Sequence, residues 1–139
     1  MIRYVLDTDH LSLAQRGHQL VTARLTATQP GTVAITIITA EEQLRGRFLQ
    51  IRKFPNGLAC CAAYRQLHET IADLNTLPIL DFDPVAETLD QSLRKQWPRL
   101  DTQDRRIAAI TLAQQCILVT RNNVHFGQIA GLTLQDWTK

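Results

Sequence analysis

Short apolar runs of a β-strand type alternate along this chain with longer stretches of helical periodicity. The strand candidates are residues 2–6, 33–37, 77–80, 117–120 and 132–134. Strands that alternate with helices favour a parallel sheet covered by helices on both faces. The pattern therefore predicts an α/β protein, a three-layer α/β/α sandwich with a mostly parallel sheet of four or five short strands, in a single domain over 1–139.

The helical stretches between these strands carry recognisable start and stop signals. Residues 10–26 predict one or two short amphipathic helices, broken near Gly17. Thr39 followed by Glu42 has capping-box spacing, which predicts a helix from Thr39 to about residue 51. The other helices are expected over 58–74, from Asp83-Pro84 to Leu93, and around Asp104 behind a cap at Asp101 or Thr102.

Composition narrows the class of protein without naming a function. The chain has 139 residues, of which 45% are hydrophobic and 20% charged, as expected of one folded domain. The net charge of +2 is too small to indicate a nucleic-acid partner by itself. The three cysteines form no C-x-x-C pair, so we expect a reducing, cytoplasmic location and neither a disulfide framework nor a zinc site. No apolar run approaches the roughly 20 residues of a membrane span.

Acidic and amide side chains follow the apolar runs at the points where parallel strands would end. Asp7 follows the first run directly, Glu41 and Glu42 follow the second, and Asn122 follows the fourth. A further acid, Asp104, leads into an apolar helix. Because functional groups gather at the carboxyl ends of the strands in an open α/β sheet, we expect these side chains to converge around a cation. Hard oxygen ligands of this kind suit Mg²⁺ or Mn²⁺.

Each of these residues also has an ordinary structural explanation. Asp7 or Asp9 could cap the first helix, and Glu42 could complete its capping box. Asp104 could be a first-turn residue favoured by the helix dipole, and Asn122 could be a turn residue. Their joint occurrence at the ends of neighbouring strands is what favours a functional site.

Four motifs occur in order along the chain, followed by a distinctive terminal segment. They are LDTDHLS at 6–12, ITAEEQLRG at 38–46, TQDRRIAA at 102–109, LVTRNNVHF at 118–126, and finally GLTLQDW at 131–137. Together they resemble the PIN-domain ribonucleases and, within them, the VapC-type toxins of bacterial toxin–antitoxin pairs. The resemblance covers nearly the whole chain and implies a PIN-like fold.

The resemblance also implies which residues form the site. The first metal-binding Asp of the family, at the end of strand one, corresponds to Asp7. The Glu of the family lies four residues before a Gly, which selects Glu42 in front of Gly46. The third acid precedes an Ile-Ala-Ala run and corresponds to Asp104. Asn122 matches a fourth catalytic position that is Asp or Asn in the family, so the implied metal ligands are Asp7, Glu42 and Asp104.

The chain departs from the family pattern at His125, where many relatives carry an acid before the Phe. With a neutral Asn122 nearby, fewer carboxylates surround a second ion, and one tightly held ion is the safer expectation. His125 is either a surface turn residue or a group that touches substrate phosphate. Asp9 is expected to be a helix cap in preference to a residue that supports the metal ligands, and Asp101 is expected at the surface.

Hydroxyl and basic side chains accompany the motifs. Thr8 and Thr120 are candidates to donate hydroxyl hydrogen bonds to a carboxylate or a water, and Ser12 is a weaker candidate. The basic residues are either a solvated face or a surface for an RNA backbone. They are Arg45, Arg47, Arg52, Lys53, Arg105, Arg106 and Arg121.

The function implied by this resemblance is that of a Mg²⁺-dependent endoribonuclease, with Mn²⁺ as a substitute ion. It would be a VapC-like toxin that cleaves structured cellular RNA (tRNA or rRNA) by metal-assisted phosphodiester hydrolysis. The resemblance further implies a cognate antitoxin and a homodimer. The apolar helix over 58–74 is either ordinary core or part of a groove for an antitoxin helix. Two alternatives stay open: a PIN nuclease of RNA processing without an antitoxin, and a non-catalytic PIN module that binds RNA or protein.

Overall fold

The computed structural model describes residues 1–139 and contains five strands and seven helices. The strands are β1 (Tyr4–Leu6), β2 (Val33–Thr36), β3 (Ile79–Leu80), β4 (Ile117–Val119) and β5 (Thr133–Gln135). The helices are α1 (Thr8–Gln15), α2 (Gln19–Ala27), α3 (Ile37–Lys53), α4 (Gly57–Leu74), α5 (Pro84–Gln96), α6 (Thr102–Ala113) and α7 (Asn123–Phe126). None of these helices combines the length and the apolar character that crossing a membrane requires.

All five strands are parallel and lie in the order β3-β2-β1-β4-β5. Tyr4 of β1 lies opposite Val33 of β2 on one side and Ile117 of β4 on the other. The first strand is therefore central, and the carboxyl ends of β1, β2 and β4 meet at one edge of the sheet. The predicted parallel sheet of four or five strands is confirmed.

An apolar core lies on each face of the sheet. Successive residues of a strand point to opposite faces, so Val5 packs in one core and Leu6 in the other. Leu118 and Val119 of β4 divide in the same way. Helices α5 and α6 cover the first core, helices α1, α2 and α4 cover the second, and α3 contributes to both. This arrangement is the three-layer sandwich that the alternation of strands and helices predicted.

The start of α3 differs from the prediction. Thr36, the last residue of β2, is the N-cap, and its hydroxyl accepts a hydrogen bond from the Thr39 N–H at 3.2 Å. The helix follows the strand without a loop, so the cap lies three residues earlier than Thr39 and Glu42 is not its capping-box partner. Thr39 is instead fully buried inside the first turn. The capping-box pattern was misleading because both Thr36 and Thr39 are good cap residues.

Two other predicted features of the helices are present. α1 and α2 are separated at Gly17, whose φ of +76° is a conformation that residues with a side chain rarely adopt. Asp101 is the N-cap of α6, and its Oδ2 accepts hydrogen bonds from the N–H groups of Gln103 and Asp104 at 3.0 and 3.3 Å. Of the two cap candidates before α6, Asp101 is therefore the cap and Thr102 is the first helical residue.

A buried ion pair joins α5 to α6. Arg105 Nε donates to Asp90 Oδ1 at 2.6 Å, and both side chains are 8% exposed. Arg105 was one of the basic residues considered for RNA contact, and that interpretation is wrong because its guanidinium is enclosed between two helices. Its sequence neighbours are charged and polar, so the sequence alone did not reveal the burial.

Replacing Asp90 by Ala should destabilise the protein strongly. The change leaves the Arg105 cation buried without its partner, which typically costs about 3–5 kcal/mol. Urea unfolding of the wild type, of Asp90→Ala and of the double variant Asp90→Leu/Arg105→Met measures this. The double variant should recover most of the loss, because an apolar pair of similar volume removes the buried charge. A loss below about 1 kcal/mol for Asp90→Ala would mean that the pair behaves as a surface ion pair.

Candidate functional site

A cavity of about 430 Å³ lies at the carboxyl edge of the sheet. Asp7 follows β1, Glu42 lies in α3, Asp104 lies in the first turn of α6, and Asn122 follows β4. The structure thus brings all four sequence-predicted residues to the wall of one cavity. Their assignment as catalytic and metal-binding residues stays a prediction. The complete lining is Asp7, Thr8, Asp9, Glu42, Asp104, Ile107, Arg121, Asn122 and Phe126.

Asp7 is the most enclosed of the acids that line this cavity, with 8% of its surface exposed. It is the N-cap of α1, and its Oδ1 accepts a hydrogen bond from the His10 N–H at 2.7 Å. The cap holds the carboxylate at the junction of β1 and α1 and also places it near the positive end of the helix dipole. The structural and functional interpretations of Asp7 are therefore compatible.

Glu42 is held by the half-buried Thr8, which in turn contacts the buried Thr39. The Thr8 hydroxyl donates to Glu42 Oε1 at 2.7 Å, which is the supporting role that the sequence suggested for Thr8. The Thr8 and Thr39 hydroxyl oxygens are 3.0 Å apart. Because the single Thr8 proton is used toward Glu42, Thr39 is the donor to Thr8. This chain of hydroxyl groups links α1 to α3 and fixes the direction of the Glu42 carboxylate.

The electrostatics of the cavity favour a bound cation. Burial, followed by the charges of Asp101, Glu42 and Asp7, raises the pKa of the Asp104 carboxyl from 3.8 to about 6, although His125 opposes the shift. Burial also raises the pKa of Glu42, against the hydrogen bond from Thr8. Carboxylates whose charged forms disfavour one another in this way are relieved by a divalent cation. Their oxygen atoms are the donor type that Mg²⁺ prefers, so the residues present fit such an ion.

Asp9 does not cap α1, which corrects the preferred expectation for this residue. Asp7 is the cap, and Asp9 instead forms a two-point ion pair with Arg121, with distances of 2.7 and 2.9 Å. Both partners are exposed at the rim of the cavity. The pair occupies the Asp9 carboxylate and reduces the positive charge that Arg121 can offer to a ligand.

Asn122 has local hydrogen bonds that the sequence did not reveal. Its Oδ1 accepts from the His125 N–H at 3.3 Å, and its Nδ2 lies 3.0 Å from His125 Nδ1. The Thr120 hydroxyl accepts from the Asn122 N–H at 3.0 Å, so Thr120 contacts backbone where a carboxylate or water was expected. Asn122 is thus the N-cap of α7 as well as a lining residue, and His125 is exposed beside it.

A second cavity of about 430 Å³ adjoins the first and shares Asp104 with it. It is formed mainly by the loop between α5 and α6 together with α7. These segments have no strand or helix periodicity in the sequence that would point to a cavity. Sequence reasoning therefore missed it, and it also missed a role for the fully buried His10. The lining residues are Trp97, Pro98, Arg99, Leu100, Asp101, Asp104, His125 and Gln128.

Four of the seven basic residues considered either as a solvated face or as a surface for RNA have protein partners. Arg45 pairs with Glu41 at 2.6 Å, and Arg47 Nε donates to the Thr70 hydroxyl at 2.8 Å. Arg105 and Arg121 are paired as well, so these four cations are at least partly compensated within the protein. Arg99, which the sequence analysis did not single out, is exposed beside Asp104 in the second cavity.

Comparison with solved structures identifies the fold. The chain is similar to DNA-bound VapBC from Salmonella typhimurium, with a TM-score of 0.80, 22% identity and 99% of each chain covered. It is similar to VapBC-1 from nontypeable Haemophilus influenzae, with a TM-score of 0.79, 23% identity and 100% of each chain covered. A toxin–antitoxin complex from Klebsiella pneumoniae gives a TM-score of 0.70 and 25% identity, covering 94% of this chain and 95% of that one.

The chain therefore has the PIN-like fold of the VapC chains in these toxin–antitoxin complexes. The resemblance that the motifs predicted is confirmed in the three-dimensional structure over the whole length of the chain. No family model and no curated protein matches the sequence. At this level of identity the similarity establishes the fold alone. Any proposal about activity therefore depends on the geometry of the cavity.

Replacing Asp104 by Asn should stabilise the metal-free protein at about pH 7. The folded-state pKa of about 6 lies above the ordinary 3.8, so the folded state binds the proton more tightly, and stability falls as the pH rises through this window. Because the half-buried group is partly screened by solvent, we expect a gain of about 1 kcal/mol at neutral pH and little at about pH 4. Urea unfolding in EDTA measures it.

The matched control is Asp81→Asn, which neutralises an exposed carboxylate outside the cavity. It should change stability little at either pH. If Asp104→Asn gave the same change at both pH values, charge repulsion in the cavity would not be its cause.

Proposed function

We propose that this protein is a Mg²⁺-dependent endoribonuclease and a VapC-like toxin that a cognate antitoxin neutralises. The observation that carries the proposal is the convergence of Asp7, Glu42 and Asp104 from three separate elements on one cavity. The raised pKa of Asp104 supports it, because burial and then the neighbouring charges of Asp101, Glu42 and Asp7 disfavour the free carboxylate. The fold shared with toxin–antitoxin complexes supports a nuclease toxin over the other enzymes that use such carboxylates.

The proposed chemistry is hydrolysis of a phosphodiester bond. Asp7, Glu42 and Asp104 would hold the ion, and Asn122 would add a neutral polar group to the same wall. A Mg²⁺ ion bound there would lower the pKa of a water molecule and stabilise negative charge on the phosphate oxygens. Asp104 or Asp7 orients or deprotonates the attacking water. Thr8 acts through Glu42, because its hydrogen bond keeps that carboxylate turned toward the cavity.

The proposed substrate is a structured cellular RNA, either tRNA or rRNA. The second cavity lies next to Asp104 and offers the aromatic Trp97, the cation Arg99 and the polar side chains of His125 and Gln128. Unstacked bases of RNA are bound by aromatic and guanidinium planes and by polar side chains at their edges. A nucleotide beside the scissile phosphate is therefore expected to lie in this second cavity.

The proposed partner is an antitoxin, and the protein is expected to form a homodimer. Large apolar side chains on α3 and α4 remain exposed, which is typical of protein interaction sites. The exposed part of the predicted helix over 58–74 therefore supports a partner surface, whereas Leu74 at its end is core. The most exposed of these side chains are Phe48, Leu49, Leu58, Tyr64 and Ile71.

Replacing Asp7 by Asn should abolish RNA cleavage without unfolding the protein. Asn is as good an N-cap as Asp, so α1 keeps its start, while the loss of charge weakens the hold on the ion. We expect cleavage of total RNA in Mg²⁺ to fall by about 100-fold or more. Mn²⁺ binding measured by calorimetry should weaken in parallel, and the unfolding midpoint in EDTA should be unchanged or higher.

Asp73→Asn is the matched control, since Asp73 is an exposed acid on α4. It should cleave like the wild type. Cleavage by the wild type in excess EDTA, or full activity of Asp7→Asn, would contradict the metal-dependent mechanism. Absence of cleavage by the wild type in Mg²⁺ would leave a non-catalytic binding module as the function.

Replacing Arg99 by Ala tests the path of the RNA. Loss of this cation beside the cavity should raise the KM for RNA by about fivefold to tenfold, the effect of about 1 kcal/mol, with kcat little changed. Arg94→Ala removes an exposed cation of α5 and serves as the control. Equal effects of the two variants would show that only overall charge matters.

A further inference from the structure

His10 is a fully buried imidazole at the wall between the acidic cavity and the end of the chain. It lies in the first turn of α1, directly behind Asp7. Its Nδ1 is 3.3 Å from Asp7 Oδ1, and its Nε2 is 3.2 Å from the backbone nitrogen of Trp137. Both ring nitrogens therefore have a partner, and only one of those partners belongs to the proposed site.

The partner at Nε2 determines which nitrogen of His10 carries the proton. The Trp137 N–H is a donor, so Nε2 must accept and has no proton of its own. The neutral ring then carries its proton on Nδ1, which donates to Asp7 Oδ1. Asp136 Oδ1 is 3.7 Å from Nε2, too far for a hydrogen bond, and it already accepts from the N–H and the hydroxyl of Thr138.

This protonation pattern removes His10 from an alternative set of metal ligands in the same place. Asp7, Asp9 and His10 each offer one ligand atom within 4.8 Å of the others, a spacing that would suit an ion. A protonated Nδ1 has no lone pair for a metal, and Nε2 uses its lone pair on the Trp137 N–H. Arg121 holds both oxygens of Asp9. Of the three residues, Asp7 alone keeps a ligand atom, Oδ2, that accepts no hydrogen bond from the protein.

We propose that His10 is a positioning residue that orients the Asp7 carboxylate for the cation. This proposal rests on the proposed metal-dependent function. The backbone N–H and the Nδ1–H of His10 both reach Asp7 Oδ1, at 2.7 and 3.3 Å. Two donors on one oxygen fix the plane of the carboxylate and leave the second oxygen for a ligand. Residues of this kind, which hydrogen-bond a metal ligand from behind, typically change metal affinity by 10–100-fold when they are lost.

The C-terminal segment after β5 holds the ring in turn. Trp137 is 1% exposed and packs edge-on against Tyr4 of β1, with ring centroids 5.3 Å apart. Its indole N–H donates to Gln135 Oε1 at 3.0 Å. The backbone N–H that faces His10 is therefore part of a buried, well-connected segment. The orientation of Asp7 thus depends on residues more than 120 positions further along the chain.

Two variants separate the donor to Asp7 from the acceptor for Trp137. In His10→Asn the side-chain NH₂ lies near the former Nδ1, so a donor to Asp7 can be kept. In His10→Gln the longer amide reaches the former Nε2, so the contact with Trp137 can be kept while the donor to Asp7 is lost. His68→Gln, at an exposed histidine of α4, is the matched control.

The measurements are Mn²⁺ affinity by calorimetry, the unfolding midpoint in EDTA, and the ¹⁵N and ¹³C imidazole spectrum of the full-length protein. We expect the wild-type His10 ring to be protonated at Nδ1. We expect His10→Gln to weaken Mn²⁺ binding by about 10-fold or more, and His10→Asn to weaken it less. The control should bind Mn²⁺ like the wild type.

The spectrum needs no variant, so it tests the proposal even if both substitutions prevent folding. An Nε2-protonated ring would overturn the proposal, as would wild-type Mn²⁺ affinity in His10→Gln. Equal weakening by the two substitutions would also overturn it, because the ring would then serve packing alone. A wild type that binds Mn²⁺ with an Nδ1-protonated His10 but cleaves no RNA would instead overturn the proposed nuclease function and keep the positioning role.

Discussion

The arrangement of the site depends on the central position of β1 in a fully parallel sheet. Because β2 and β4 flank it, the residues that follow these strands meet at one edge, and Asp7 lies in the middle of them. Helices α3 and α6 bring Glu42 and Asp104 to the same cavity. The cost of this topology is electrostatic, as the raised pKa of Asp104 indicates. The fold therefore places charges where they destabilise the free protein and favour a bound cation.

The three proposed metal ligands, Asp7, Glu42 and Asp104, are positioned in different ways. Asp7 caps α1 and contacts His10, Glu42 accepts from Thr8, and Asp104 lies on the helix that Asp101 caps. These supports use backbone N–H groups, a hydroxyl and a neutral ring, none of which brings a positive charge into the cluster. Asp7 and Glu42 are thus oriented without being neutralised, whereas Asp9, the fourth acid of the lining, is paired with Arg121. That combination suits a site that must receive a cation in a fixed geometry.

The sequence predicted the fold and the converging acids because both depend on local patterns. Apolar runs, turns and the placement of carboxylates after strands can be read from neighbours along the chain. Prediction from the sequence failed where a side chain is held by a residue far along the chain. Asp9 pairs with Arg121, Arg105 with Asp90, and His10 with Trp137. The second cavity was missed for a related reason, since a loop and a short helix form it. The wrong cap of α3 had a local cause, because Thr36 and Thr39 are both good cap residues and lie only three positions apart.

The ion pairs of the basic residues determine how much positive charge the chain offers to the acids of the cavity. Arg121 is held by Asp9, and Arg105 is enclosed with Asp90, so neither compensates Asp104 or Glu42 fully. Part of the negative charge of these acids therefore remains available to a cation from outside the chain. Under the proposed function, a metal ion would bind these carboxylates. If the antitoxin placed a basic side chain on the same oxygen atoms, it would compete with the metal ion, and inhibition would follow from the charge that the fold leaves uncompensated.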